Sequence, residues 1–169
     1  MGLDMYLEAR KYVSKFDYSD GWDNKKFDSQ YEAIASVAPE GFDKYSDFGG
    51  GSIGLTIGYW RKANAIHGWF VDNVQNGTDD CGTYYVPRDK LVELRNACVQ
   101  VLQVPAGIDL ESHVESVGLA PRSGFFFGSY DLDEWYMDDL NLTCNIINNA
   151  LDCFPEEDYN WSFYYHSSW

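Results

Sequence analysis

The sequence predicts an α+β fold: a single domain over residues 1–169, with a small mixed or mainly antiparallel sheet packed against three to four helices. Three observations lead there. Segments near both ends alternate apolar and polar side chains with period two, the pattern of half-buried strands. Four segments between them carry apolar residues three and four apart, the spacing of a helix with one buried face. The strand segments are short and half-polar, whereas a fully covered parallel sheet needs continuous apolar runs.

Residues 3 to 13 open the chain as a strand, with Leu3, Met5, Leu7 and Ala9 on one face and Asp4, Tyr6, Glu8 and Arg10 on the other. An Asp-rich loop follows over 16–24. Phe27, Tyr31, Ile34 and Val37 then mark a short helix over 26–38. Pro39, Gly41 and the run Gly49-Gly50-Gly51 form a connection. Ile53, Leu55 and Ile57 predict a second strand over 52–59. The stripe Ala63, Ile66, Phe70 and Val74 predicts a helix over 60–74, ended by Asn76-Gly77. A short strand over 83–86 leads to Pro87, which suits the first turn of a helix reaching about Gln103. Residues 108–122 read as loop, and 123–129 as a buried strand or turn around Phe125-Phe126-Phe127. A long helix opens at Asp131, with Leu132, Tyr136, Leu140, Ile147 and Leu151 inward and acids in its first turn, where they complement the helix dipole. Pro155 closes it. The aromatic tail 161–165 reads as a last, docked strand.

Composition excludes several classes of function. Aromatic residues make up 17% of the chain, which excludes intrinsic disorder. Twelve basic against 27 acidic residues give a net charge of −15, which opposes direct binding to nucleic acid or to an anionic membrane. No apolar run approaches the ~20 residues of a spanning helix. The charged N-terminal stretch lacks a signal-peptide pattern, so the expectation is a cytoplasmic protein with reduced thiols. Cys81, Cys98, Cys144 and Cys153 form no Cys-x-x-Cys pair, and His67, His113 and His166 are scattered, so no metal and no cofactor is predicted. Cys98 and Cys144 read as small core residues on helices.

The strongest candidate site is Tyr59-Trp60-Arg61-Lys62-Ala63-Asn64-Ala65-Ile66-His67-Gly68-Trp69. Two of the few basic residues lie here, where a helix start supplies free N–H groups and the positive end of a dipole. Arg61 and Lys62 would take an anion, Asn64 and His67 would add directional hydrogen bonds, and Trp60 and Trp69 offer flat faces for a base or sugar. The second candidate is the segment around Arg122, the one basic residue in 109–169 against twelve acids, followed by Tyr136; Tyr165 in the tail completes the set. Arg122 reads chiefly as the partner of a carboxylate. Neither Ser123 nor Ser129 sits in a Gly-x-Ser-x-Gly elbow, so a serine hydrolase is not predicted. The acids Asp131, Asp133, Glu134, Asp138 and Asp139 match no calcium loop. They read as a solvated helix face, or as a mimic of a phosphate backbone.

Met-Gly-Leu-Asp-Met-Tyr-Leu at 1–7, Tyr-Trp-Arg-Lys-Ala-Asn-Ala-Ile-His at 59–67, Ser-Gly-Phe-Phe-Phe-Gly-Ser at 123–129, Asp-Glu-Trp-Tyr at 133–136 and Tyr-Tyr-His-Ser-Ser-Trp at 164–169 resemble a family of small proteins carried by bacteria and their phages. The resemblance implies a phage or mobile-element accessory protein. It implies action on host defence, by sequestering a nucleotide signal or by capping a host protein. Read with the candidate site, the expectation is a non-catalytic protein that binds a small anionic, nucleotide-like ligand. The alternatives are an acidic inhibitor that covers the basic surface of a host defence protein, and an enzyme using His67 or a cysteine. The aromatic tail also offers an interface for a homo-oligomer.

Overall fold

In a computed structural model, residues 2–21, 26–42, 49–124, 127–157 and 160–169 are described. The fold is α+β: a four-stranded antiparallel sheet in the order β4-β1-β6-β5, with five helices among the described residues. The strands are β1 (Asp4–Ser14), β2 (Phe16–Asp17), β3 (Lys26–Phe27), β4 (Gly50–Arg61), β5 (Tyr84–Val86) and β6 (Trp161–Ser168). The helices are α1 (Ser29–Ala35), α2 (Asn64–Asn73), α3 (Arg88–Leu102), α4 (Leu110–Ser116) and α5 (Glu134–Cys153). No helix among the described residues is long and apolar enough to cross a membrane.

The chain divides into two compact units, one formed by Met1–Ala9 with Thr56–Trp169, the other by Arg10–Leu55. The smaller unit holds a hairpin of β2 with β3, closed by Phe16 opposite Phe27, their ring centroids 5.1 Å apart. Asp28 caps α1, its carboxylate accepting from the Gln30 N–H at 2.8 Å and the Tyr31 N–H at 3.3 Å.

The larger unit buries the apolar face of β1 (Leu3, Met5, Leu7 and Ala9) under α2, α3 and α5. Trp60 on β4, Val86 on β5, and Phe163 and Tyr165 on β6 continue that face. Gly58 lets β4 approach α5 closely, because a Cβ there would stand 2.5 Å from Ile146 Cγ2. The open carbonyls of the last turn of α5 are met by Arg88, which donates to Leu151 O at 2.8 Å and to Phe154 O. All four cysteines are free; Cys98 is buried on α3 and Cys144 half-buried on α5.

Three expectations are corrected and a fourth is narrowed. The stretch 108–122 holds a helix, α4, where a loop was expected; Asp109 caps it, its carboxylate accepting from the Ser112 hydroxyl at 2.6 Å. Trp60 and Arg61 belong to strand β4, and the helix begins only at Asn64. The helix α5 begins at Glu134, with Asp133 as its cap rather than Asp131 as its first residue. Of the strand or turn expected over 123–129, the described residues form no strand, while the Phe127 N–H donates to Gly124 O at 3.3 Å as in a turn; Phe125 and Phe126 lie outside the described residues.

Candidate functional site

The chain changes direction abruptly between β4 and α2. Lys62 takes a left-handed backbone with φ 62°, and Ala63 follows at φ −75° and ψ 70°, an inverse γ-turn closed by the Asn64 N–H on Lys62 O at 2.8 Å. This turn starts α2 without a side-chain cap. The N–H groups of Ala65 and Ile66 have no acceptor among the described residues. A helix start left open in this way favours negative charge.

Asn64 holds the opposing loop. Its Oδ1 accepts from the Arg122 N–H at 3.1 Å, and its Nδ2 donates to Phe127 O at 3.3 Å and Ser129 O at 2.8 Å. Gly128 completes the turn of that loop at φ +103°, where a Cβ would come within 3.1 Å of Lys62 O. The β4–α2 turn and the start of α5 thereby become the walls of a cleft of about 560 Å3. Arg61, Lys62 and Asn64 line one side; Asp131, Asp133, Asp138 and Asp139 line the other, with Trp135 and Tyr136.

The two sides differ in charge. Arg61 and Lys62 are exposed and make no ion pair among the described residues. Across from them, Asp133 accepts from the Tyr136 N–H at 3.0 Å, and Asp131 accepts from the Ser129 hydroxyl at 2.9 Å. Asp139 is half-buried, and desolvation, with the charges of Asp138 and Asp133 behind it, pushes its carboxyl up to about 6. Among the described residues, no cluster of three or more His, Cys, Asp or Glu side chains is placed to hold a metal ion.

Asp139 therefore makes stability depend on pH. The folded carboxyl holds its proton to higher pH than the unfolded one, so its contribution is full below the unfolded value near 4 and falls as pH rises to about 6. Asp139→Asn is expected to flatten that slope and to gain on the order of 1 kcal/mol at pH 7, an amount reduced by its partial solvent exposure. Thermal unfolding of both proteins between pH 4 and pH 7 measures it. A difference that grows toward low pH contradicts the assignment.

The sequence-predicted residues separate into three groups. Arg61, Lys62, Asn64 and Tyr136 meet at the cleft. The amide of Asn64 is spent on the loop, and Tyr136 is 7% exposed with its hydroxyl donating to Leu119 O at 3.0 Å. Trp60, His67, Trp69 and Tyr165 are buried and offer a ligand no surface, which corrects the expectation that they contact one. Trp60 donates to the Thr143 hydroxyl at 2.9 Å, while His67 lies between Tyr165 and Asp79. Arg122 is bound by Asp72 in an ion pair, the commoner of the two roles expected for it. The aromatic that faces solvent at the cleft is Trp135, 77% exposed, which lies in the second candidate segment, 133–136, but was given no ligand role of its own there. Its signal was available: it is the one aromatic of the first turn of α5 off the apolar stripe.

The acidic row expected along α5 is short. After Asp139 its exposed polar positions are Asn141, Asn145, Asn148 and Asn149, with the next acid at Asp152. An α+β chain with a mixed-charge cleft, walled by a helix start and a capped acidic turn, is the class that fold and site define. No known family model, curated protein or solved structure matches the chain.

Proposed function

We propose that this chain binds a small anionic, nucleotide-like ligand in the cleft between the β4–α2 turn and α5, and holds it without turning it over. One observation carries the reading. Two exposed cations without carboxylate partners among the described residues, Arg61 and Lys62, stand beside an uncapped helix start in a cleft of about 560 Å3.

The cleft favours a ligand of two characters. A phosphate would sit at Arg61, Lys62 and the N–H groups of Ala65 and Ile66. The acidic side repels a second anion and attracts hydrogen-bond donors, such as the amino group of a base. Trp135 presents a ring on which that base would stack. A sequestering role in a phage or mobile-element setting fits binding without turnover, and that setting is likewise proposed.

Titration of nucleoside monophosphates, followed by Trp135 fluorescence or calorimetry, tests the reading. Arg61→Ala is expected to weaken binding by ~1.5–3 kcal/mol, the range for a charge-assisted hydrogen bond. Equal binding by both proteins removes Arg61 from the site. Ligand recovered chemically altered after denaturation would replace binding with catalysis.

A further inference from the structure

The helices of the larger unit cover one face of the sheet, and the other face carries a row of aromatic rings across all four strands. Tyr59 on β4 leads to Tyr6 on β1, with ring centroids 5.3 Å apart. Tyr6 stacks on His166 of β6 at 4.8 Å and 16°. Tyr164, also on β6, meets Tyr85 on β5 at 5.9 Å. The outer rings of the row face solvent, Tyr59 at 45% and Tyr85 at 56% exposure. Period two explains the row: these positions alternate along each strand with the buried Met5, Trp60, Tyr165 and Val86.

Carboxylates flank the centre of the row. Asp4 and Glu8 stand two residues either side of Tyr6 on the same face of β1. Asp4 accepts the Tyr59 hydroxyl at 2.5 Å, and Glu8 lies 3.4 Å from His166 Nε2. The bond to Asp4 keeps the Tyr59 phenol protonated, its titration moved above the ordinary value. Rings and carboxylates are thus held in fixed positions relative to each other. Arg61, at the end of β4, stands in register with Tyr59 and also lines the cleft.

We infer that this face docks a partner protein through arginine side chains presented on an extended segment. A guanidinium is planar, stacks on a tyrosine ring and pairs with a carboxylate, so it matches both features of the row at once. Charge complementarity points the same way: the chain carries −15, and the row is flanked by Asp4 and Glu8. The same charge opposes a single-stranded nucleic acid, which would otherwise suit a row of stacking rings. It also opposes a second copy of this chain.

The test uses the whole protein at 0.15 M salt with two synthetic peptides of alternating arginine and serine or alternating lysine and serine. A stacking face should prefer arginine about three- to tenfold, because bulk attraction to an acidic protein does not distinguish the two cations. Tyr59→Ser with Tyr85→Ser should remove that preference, while Tyr59→Phe, which keeps the ring, should retain it. Unchanged thermal unfolding of the variants shows that the fold is intact, and Asp152→Asn, an exposed acid near the end of α5 outside the cleft, should leave the preference unchanged. Equal affinity for both peptides, a preference that survives loss of both rings, no peptide binding, or preferential binding of a single-stranded oligonucleotide or a neutral oligosaccharide each overturns the inference.

Discussion

Asn64→Ala is expected to cost about 3–5 kcal/mol, a large part of the ~5–15 kcal/mol that holds a domain of this size. The side chain is 5% exposed and every polar atom it has is used. Its removal strands the Arg122 N–H and the carbonyls of Phe127 and Ser129 together, and each stranded group costs its own desolvation. Asn64→Asp discriminates between packing and hydrogen bonding. Aspartate has the same shape but cannot donate, so it keeps the Arg122 bond and sets a carboxylate against two carbonyl oxygens. Denaturant unfolding should therefore rank wild type well above both variants, with aspartate no better than alanine. Stability within 1 kcal/mol of wild type for Asn64→Asp would mean that the amide does not hold the loop. Ligand titration separates the two roles of the turn: Arg61→Ala affects binding alone, whereas Asn64→Ala affects stability first and binding through it.

The difference between those two residues shows where the sequence was readable. Period-two alternation located β1 because Leu3, Met5, Leu7 and Ala9 are inward without exception, and the helical stripe of α3 is equally regular. The break between β4 and α2 was not readable. It is made by Lys62 in a left-handed conformation and by Ala63 in a γ-turn, with neither glycine nor proline to mark it. Trp60 accordingly appeared helical, although a strand also turns it inward. The helix α4 carries a short stripe, Leu110 and Val114, that its five acidic and polar residues obscure. For the site, the cations were legible because basic residues are rare in so acidic a chain. The fate of His67 was not legible, since an imidazole beside a helix start looks the same in sequence whether it faces a ligand or the core. Its partners, Asp79 and Tyr165, lie 12 and 98 residues away.

His67→Ala is expected to destabilise the protein by about 3–5 kcal/mol, combining a core cavity with lost hydrogen bonds. The ring is fully buried, with Nδ1 2.8 Å from the Tyr165 hydroxyl and Nε2 3.1 Å from Asp79 Oδ2. A carboxylate only accepts, so Nε2 carries hydrogen, and in the tautomer protonated only there Nδ1 accepts from the tyrosine. Tyr165 suits that role: burial first, and the Asp79 charge after it, drive its titration well above the ordinary range, and the phenol stays a donor. The other oxygen of Asp79 accepts from Trp169 Nε1 at 3.1 Å, so one carboxylate ties α2 to the end of β6. Tyr165→Phe isolates the hydrogen bond, since the stack of this ring on Phe70, 3.9 Å between centroids, survives the change. It should cost about 1–3 kcal/mol, the price of a buried acceptor left unmet on His67. Asp79→Asn should cost less than Asp79→Leu, because an amide oxygen still accepts from Nε2. Chemical denaturation of the four variants gives the order His67→Ala, then Tyr165→Phe, in falling cost, with Asp79→Leu above Asp79→Asn. A neutral Tyr165→Phe would show that the core holds this strand by packing alone and that the imidazole contributes only its volume.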